Sequence, residues 1–193
     1  DKMKTLVIDN YDSFTYNLVH YIGKLTGIRP DVFRNDEITV EEAGRYDKIL
    51  ISPGPGIPSE AGICIDLIKR WAPEKSILGI CLGHQAVCEA FGGKLLNLST
   101  VYHGISSPVK IKTPDEPLFK NIPPIFMGGR YHSWVVSRKH LPACFRITCE
   151  DDNGIIMGIS HEEYDVKGLQ FHPESVMTEF GPEIIRNWIR TSD

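Results

Sequence analysis

Residues 76–93 read SILGICLGHQAVCEAFGG, and this stretch joins an apolar run to a helix-like segment through a short turn that contains glycines. The run 77–80 is typical of a buried parallel strand, and 85–91 is predicted to be a short helix that ends at the two following glycines. The pattern Gly-x-Cys-x-Gly between them is typical of a nucleophile elbow, in which a strained central residue stands between strand and helix. We therefore predict that Cys81 is a nucleophile whose sulfur is exposed at the carboxyl end of a strand.

The helix that follows Cys81 also bears on its reactivity. The positive end of a helix dipole favours a thiolate over a thiol. The alternative is that Cys81 is one more small, buried apolar residue, as most cysteines are. The strand, the two flanking glycines and the helix together favour the nucleophile.

Apolar runs and helical patterns alternate through the first half of the chain. Strands are predicted at 5–9, around 32–33 and at 48–52. Asp12 or Ser13 is expected to cap the first helix, and Thr39 with Glu42 a second, short one; a third helix has its apolar side at Ile63, Leu67, Ile68 and Trp71. The alternation predicts an α/β fold, a doubly wound and mostly parallel sheet flanked by helices, which binds ligands outside the carboxyl ends of its strands.

The second half of the chain has a different pattern, because strand-like runs become short and are interrupted by turns. Segments 145–148 and 155–159 flank Asn153-Gly154, which predicts a hairpin. A further buried strand is predicted at 166–171, and a last helix opens at Pro182. We expect this half to be an antiparallel extension of the sheet and not a second domain.

Composition limits the function classes. A chain of 193 residues with 41% hydrophobic and 24% charged residues is typical of one globular domain, which we expect to span residues 1–193. The net charge of −4 and the lack of a Lys/Arg run argue against a nucleic-acid partner. The five scattered cysteines are typical of a reducing compartment. Because neither a membrane-spanning run nor a signal peptide is recognisable, we expect a cytoplasmic protein without a membrane partner.

A second group of candidate residues follows the predicted strand at 166–171. Pro173 favours an extended conformation in the residue before it, and in an extended segment residues two apart face the same side. Glu174 would then accept a hydrogen bond from one nitrogen of His172, and the other nitrogen would take a proton from Cys81. Each residue alone fits a structural role, but together with Cys81 they predict a Cys-His-Glu triad.

Acyl transfer also needs donors for the negative charge that develops on oxygen. The backbone N–H of Leu82 is one donor by the geometry of the elbow. The second is expected in Gly54-Pro55-Gly56, at Gly56, because the backbone of a glycine-rich loop can approach a ligand closely. On its own this loop is typical of a rigid connection. The chain contains neither G-x-x-x-x-G-K-[ST] nor G-x-G-x-x-G, the two glycine motifs that bind phosphate groups, so we do not expect this loop to bind phosphate.

Several motifs together resemble those of the class I, triad-type glutamine amidotransferases, over essentially the whole chain. They are SPGPG at 52–56, GICLGHQ at 79–85 and QFHPES at 170–175. Two others, DNYDSFTYN at 9–17 and RYHS at 130–133, are similar to motifs of the glutaminase subunits of anthranilate synthase and of aminodeoxychorismate synthase.

The resemblance implies that Cys81 attacks the side-chain amide of glutamine to form a glutamyl thioester. It further implies that His172 carries the proton to the departing ammonia, that Glu174 orients His172, and that water releases glutamate. The glutamine-binding residues implied are Gly54, Pro55, Gly56, Gln85, Ser133 and Trp134.

The resemblance also implies a partner. Ammonia would pass to a chorismate-using synthase subunit in a hetero-oligomer, to make anthranilate (the component I reaction of tryptophan biosynthesis) or, as the alternative, aminodeoxychorismate for folate. No metal or organic cofactor is expected in this subunit, and the Mg²⁺ of the overall reaction belongs to the partner. Trp134 stands where the family usually has leucine, and Ile105 stands where it usually has lysine, in a segment expected near the partner.

Two other classes stay open. A stand-alone cysteine hydrolase, such as a peptidase or γ-glutamyl hydrolase, would turn over fully without a partner. A non-catalytic binding subunit is disfavoured by the intact Cys81, His172 and Glu174. The six other histidines lack metal-ligand spacing, and structural or surface roles are predicted for them.

Overall fold

The structure is a computed structural model that describes residues 3–191, and its strands form one sheet. In chain order the strands are β1 (Thr5–Asp9), β2 (Asp31–Arg34), β3 (Lys48–Ile51), β4 (Ser76–Ile80), β5 (Leu95–Ile111), β6 (Ile125–Val136), β7 (Phe145–Glu150), β8 (Ile156–His161) and β9 (Val166–Leu169). The α-helices are α1 (Thr15–Thr26), α2 (Cys64–Trp71), α3 (Leu82–Ala90) and α4 (Gly181–Arg190), and short 3₁₀ turns occupy Glu42–Arg45, Pro58–Glu60 and Pro117–Phe119.

The sheet has the order β2-β1-β3-β4-β9-β8-β7-β5-β6. The strands from β2 to β9 in this order run parallel, and those from β9 to β6 pair antiparallel. The predicted α/β sheet with an antiparallel extension is confirmed. Because β9 returns to the middle of the sheet beside β4, residues that follow these two strands meet at one edge.

The core lies on both faces of the sheet, as alternation along the strands requires. In β3, Ile49 and Ile51 belong to an apolar cluster with α2 and α3, whereas Leu50 between them belongs to a cluster with α1 and α4. All three side chains are fully buried. Burial of each such side chain stabilises the fold by about 1.5–3 kcal/mol, so both helix layers hold the central strands in place.

The start of α1 was predicted wrongly. The cap position is Phe14, not Asp12 or Ser13, and no side chain caps it. The Asp12 carboxylate instead accepts a hydrogen bond from the Phe14 N–H at 3.0 Å, so it closes the turn before the helix. The predicted contact between Thr39 and Glu42 is present, since each side chain accepts the other's backbone N–H, at 3.1 and 3.2 Å, but the element is only a 3₁₀ turn and its cap position is Glu41.

The prediction of short strands after residue 94 is wrong for β5, which is a single strand of 17 residues. Its pairing with β6 shifts register between Asn97 and Tyr102 and again between His103 and Ile105. These irregularities break the alternation by which a strand is recognised in a sequence. The predicted hairpin is confirmed as β7 and β8, and the predicted last helix is confirmed as α4. In the described part of the chain, no helix is long and apolar enough to cross a membrane.

Candidate active site

Cys81 stands in a strained turn between β4 and α3. Its φ is +53° and its ψ is −100°, and α3 starts directly after it, three residues before the predicted start at Gln85. A Cβ atom on Gly79 would lie 2.2 Å from the Gly83 carbonyl oxygen, and one on Gly83 would lie 2.3 Å from the Ile51 carbonyl oxygen. Backbone packing around the elbow therefore requires both flanking glycines.

The Cys81 side chain is buried, so the predicted exposure of its sulfur is wrong. Only 5% of the residue is exposed, and it lies in the wall of a cavity of about 300 Å³. The sulfur accepts a hydrogen bond from Gln170 Nε2 at 3.5 Å, and the thiol donates to the Tyr131 carbonyl oxygen at 3.8 Å. A substrate must therefore enter the cavity to reach the sulfur.

His172 and Glu174 lie side by side, with 2.9 Å between Nδ1 and Oε1, and both are buried. The backbone conformation that brings these two side chains together is not the predicted one. Residues 172–175 form a turn, closed by a hydrogen bond from the Ser175 N–H to the His172 carbonyl oxygen at 3.2 Å, and not an extended segment. The Thr178 hydroxyl donates to the same oxygen at 2.6 Å, so the backbone of His172 is held independently of Glu174.

The proton affinity of His172 reflects its two neighbours. Burial alone would lower the pKa of the imidazole, but interaction with Cys81 and with Glu174 outweighs burial and raises the pKa to about 10. Nε2 makes no hydrogen bond of normal geometry to the described residues, although Cys81 is close enough to act on the pKa. The ring packs edge-on against Tyr131, with centroids 4.9 Å apart.

The predicted site residues other than His172 and Glu174 all line one cavity. They are Gly54, Pro55, Gly56, Cys81, Leu82, Gln85, Ser133 and Trp134. The lining also includes residues for which the sequence predicted no such place: Val101, Tyr102, His103, Tyr131 and His132. The motif RYHS is the signal that could have indicated the last two.

The loop at 53–57 is held against the end of β1. A Cβ atom on Gly54 would lie 2.5 Å from Asn10 Cβ and 2.6 Å from its carbonyl oxygen. Asn10 also donates its backbone N–H to Ser52 Oγ at 2.9 Å and its Nδ2 to the Ser52 carbonyl oxygen at 2.8 Å. The two predicted donor residues differ in their setting. Gly56 has a φ of +76°, in the left-handed region that favours glycine. The Leu82 N–H lies in the first turn of α3, where amides lack intrahelical acceptors.

Gln170 is a site residue whose place was not predicted. It is fully buried, and its Oε1 accepts from Gln85 Nε2 at 3.4 Å while its Nε2 donates to the Cys81 sulfur. It follows β9 directly, and Leu169 of β9 pairs with Ile80 of β4, which places Gln170 beside Cys81. The adjacency of the two strands was the missing information, because no local pattern reveals it.

The other histidines have no arrangement suited to a metal. Within residues 3–191, no group of three or more His, Cys, Asp or Glu side chains could hold an ion. His84 is fully buried, and burial lowers its pKa to about 3, so its ring is neutral. A Cβ atom on Gly168 would lie 2.5 Å from His84 Nδ1, which shows that this ring packs tightly against β9.

A comparison with protein families gives the class of this protein. The family model for glutamine amidotransferase class-I matches residues 6–191. The chain therefore belongs to the class I glutamine amidotransferases.

Curated relatives with high sequence identity include components of anthranilate synthase and of aminodeoxychorismate synthase. The chain is 45% identical over 188 residues to the aminodeoxychorismate/anthranilate synthase component 2 of Bacillus subtilis, with 96% of this chain and 95% of that protein covered. It is 46% identical over 190 residues to anthranilate synthase component 2 of Azospirillum brasilense, with 97% and 95% covered. It is also 46% identical over 196 residues to the bifunctional protein TrpGD of Thermotoga maritima, but 98% of this chain spans only 32% of that longer protein.

A solved structure supports the fold. A Thermoplasma acidophilum protein described as a GMP synthase subunit superposes with a TM-score of 0.86 at 24% identity, with 98% of this chain and 93% of that chain covered. At this identity the likeness shows the fold alone.

Proposed function

We propose that this chain hydrolyses glutamine to glutamate and ammonia, with Cys81 as nucleophile, His172 as proton carrier and Glu174 as the residue that orients His172. The main support is the position of a strained elbow cysteine in the wall of a cavity, with a buried His–Glu pair next to it. Nucleophile, base and orienting carboxylate are the three parts that covalent acyl transfer requires.

The chemistry follows from these parts. His172 takes the proton of the Cys81 thiol as the sulfur bonds to the amide carbon of glutamine, and the carbonyl oxygen becomes an oxyanion between the N–H groups of Leu82 and Gly56. The C–N bond breaks when His172 gives a proton to the nitrogen, which leaves as ammonia. The raised pKa of His172 suits this step, because the imidazole holds a proton at neutral pH. Water, deprotonated by His172, then attacks the carbonyl carbon of the thioester. The C–S bond breaks, glutamate is released, and Cys81 takes back the proton from His172.

The cavity favours a single amino acid as substrate. Its volume of about 300 Å³ is at the lower end of the range for small-molecule sites, and Cys81 is only 5% exposed. The main-chain end of glutamine would bind against Ser133 and Trp134, and Gln85, which also lines the cavity, donates to the Trp134 carbonyl oxygen at 3.0 Å. A peptide would extend well beyond a cavity of this volume, which argues against the peptidase alternative.

The product ammonia is proposed to pass to a chorismate-using synthase subunit in a cytoplasmic hetero-oligomer. Anthranilate is the proposed product of that partner and aminodeoxychorismate the alternative. The names of the relatives support both, because one of them carries both names. Cofactor chemistry, including Mg²⁺, is assigned to the partner.

Reconstitution tests the proposal. The chain is mixed with purified anthranilate synthase component I or with aminodeoxychorismate synthase component I, and glutamine-dependent product formation is measured with chorismate. Glutamine-dependent anthranilate is the expected result. Product with only the second partner would overturn the choice of branch, and full glutamine hydrolysis without any partner would favour a stand-alone hydrolase.

The proposed partner surface is the rim of the cavity. Val101 lines the cavity and is 64% exposed, and Ile105 and Val176 are 44% and 100% exposed. The Ser106 hydroxyl donates to the Met177 carbonyl oxygen at 2.9 Å, so β5 and the segment that carries Val176 lie together. Exposed apolar side chains on segments beside a site are typical of a docking surface, and Val101 itself lies at the cavity.

Charged substitutions on this rim are expected to weaken the complex. Val176→Asp should raise the Kd for the synthase about tenfold or more, because an apolar contact would be replaced by a buried charge. Folding should be unaffected, since the side chain is fully exposed. Calorimetric titration measures the Kd. The matched control is Ile125→Asp, because Ile125 is 59% exposed and lies six residues before Tyr131 along β6. An equal loss of affinity for the synthase in this variant would contradict the proposed surface.

A further inference from the structure

The carbonyl oxygen of Trp134 accepts two hydrogen bonds from buried side chains. One comes from Gln85 Nε2 at 3.0 Å and the other joins it to His132 Nδ1 at 3.1 Å. A carbonyl oxygen has two lone pairs, so both are used. The Trp134–Val135 peptide, to which this oxygen belongs, is thereby held in one orientation, and it fixes the Trp134 end of the cavity wall.

Arg130 determines which nitrogen of His132 carries the proton. Arg130 Nε donates to His132 Nε2 at 3.1 Å. A guanidinium can only donate, so Nε2 must be the acceptor. Burial and the charge of Arg130 lower the pKa of His132 to about 3, so the ring is neutral at pH 7. The one proton of the neutral ring is then on Nδ1, where it points at the Trp134 carbonyl oxygen.

Arg130 is itself fixed on two sides. It is 1% exposed, and its Nη1 donates to Asp151 Oδ2 at 2.8 Å, in an ion pair that is buried at both ends. The Tyr102 ring covers the guanidinium at 3.6 Å and stacks on His132 with centroids 5.2 Å apart. Asp151 also accepts the backbone N–H groups of the β7–β8 turn. These contacts make the Arg130 network, which consists of Asp151, Arg130 and His132, a rigid unit.

We propose that Asp151, Arg130 and His132 are positioning residues for glutamine: they keep the proton of His132 on Nδ1 and so fix the Trp134 carbonyl, and with it the Ser133–Trp134 segment of the cavity wall against which the main-chain end of glutamine binds. This inference rests on the proposed function. Because the network contacts the binding wall directly and reaches Cys81 and His172 only through Tyr131, which lies between Arg130 and His132, its loss raises the KM for glutamine much more than it lowers kcat.

The first test needs no variant. Nitrogen-15 NMR of the full chain labelled at histidine reports the tautomer of each ring, and His132→Asn assigns the signal. We expect His132 to be neutral with the proton on Nδ1 at pH 7, and to stay neutral down to pH 5. A proton on Nε2, or a charged ring at pH 7, would overturn the inference. This readout is independent of glutaminase activity.

The second test is Arg130→Lys, which keeps a positive charge for Asp151 but lacks the Nε–H that selects the tautomer. The expected result is a rise of about tenfold in the KM for glutamine with kcat within about threefold, measured in the synthase complex. A loss of the Nδ1–H signal should accompany it. An unchanged KM, or a fall in kcat alone, would overturn the inference. Asp151→Asn should raise KM in the same direction and serves if the first variant does not fold.

The matched control is a buried ion pair away from the glutamine site, Lys167 with Glu116, whose charged atoms lie 3.1 Å apart and which lines a different cavity. Glu116→Gln should lower the Tm while the KM for glutamine stays at the wild-type value. An equal rise in KM there would mean that stability alone is being measured, and would overturn the inference. Wild-type protein that fails to hydrolyse glutamine in any complex would instead contradict the proposed function, and the tautomer result would still stand.

Discussion

Replacing Cys81 with serine is expected to lower glutamine-dependent synthesis by at least about 10³-fold, because a serine hydroxyl does not replace a thiol as nucleophile in a site built for sulfur. Ammonia-dependent synthesis by the partner should be unchanged, since that reaction needs no glutaminase chemistry. Both rates are measured on the same reconstituted complex, with saturating glutamine and then with saturating ammonium at a pH where free ammonia is present.

The control for Cys81→Ser is Cys144→Ser, which changes the same atom in a half-buried residue outside the cavity lining. Burial raises the pKa of the Cys144 thiol, so it is a weaker nucleophile at neutral pH. Both rates should stay near the wild-type values in this variant. Glutamine use that survives in Cys81→Ser would disprove the nucleophile assignment.

The elbow could be predicted from the sequence because its causes are local. Gly79 packs against Gly83, four residues away, and the strained residue lies between them. The burial of Cys81 could not be predicted in the same way. Its sulfur is covered by Gln170 and by the Tyr131 carbonyl, which come from strands far along the chain. Only the pairing of β9 with β4 and the course of β6 bring them there.

The His–Glu pair shows how a correct contact can follow from an incorrect backbone. The effect of Pro173 on its neighbour predicts an extended segment, but the hydrogen bond from Ser175 to His172 closes a turn that brings the same two side chains together. The Arg130 network was not predictable, because Asp151 lies 21 residues from Arg130 and only the sheet brings them within 2.8 Å. A structural role for His132 was predicted from its spacing alone, which carries no information about such partners.

Glu174→Gln is expected to lower kcat for glutamine hydrolysis about 10²-fold, less than Cys81→Ser. The amide keeps an acceptor for His172 Nδ1 but loses the negative charge that favours the imidazolium. The His172 backbone stays in place, since its N–H donates to the Gly129 carbonyl oxygen at 2.9 Å and its carbonyl accepts from Thr178 at 2.6 Å. Much of the orientation therefore survives in this variant.

The same substitution should lower the pKa of His172, which NMR titration of its ring measures. In the wild type the folded-state pKa of about 10 exceeds the ordinary value of 6.5. The protonated ring therefore stabilises the fold fully below pH 6.5, and this contribution disappears as the pH rises through 10. The difference in free energy of unfolding between wild type and Glu174→Gln should accordingly be largest at and below pH 6.5 and shrink towards pH 10. A His172 pKa that does not fall, or a loss of kcat equal to that of Cys81→Ser, would contradict the role assigned to the carboxylate.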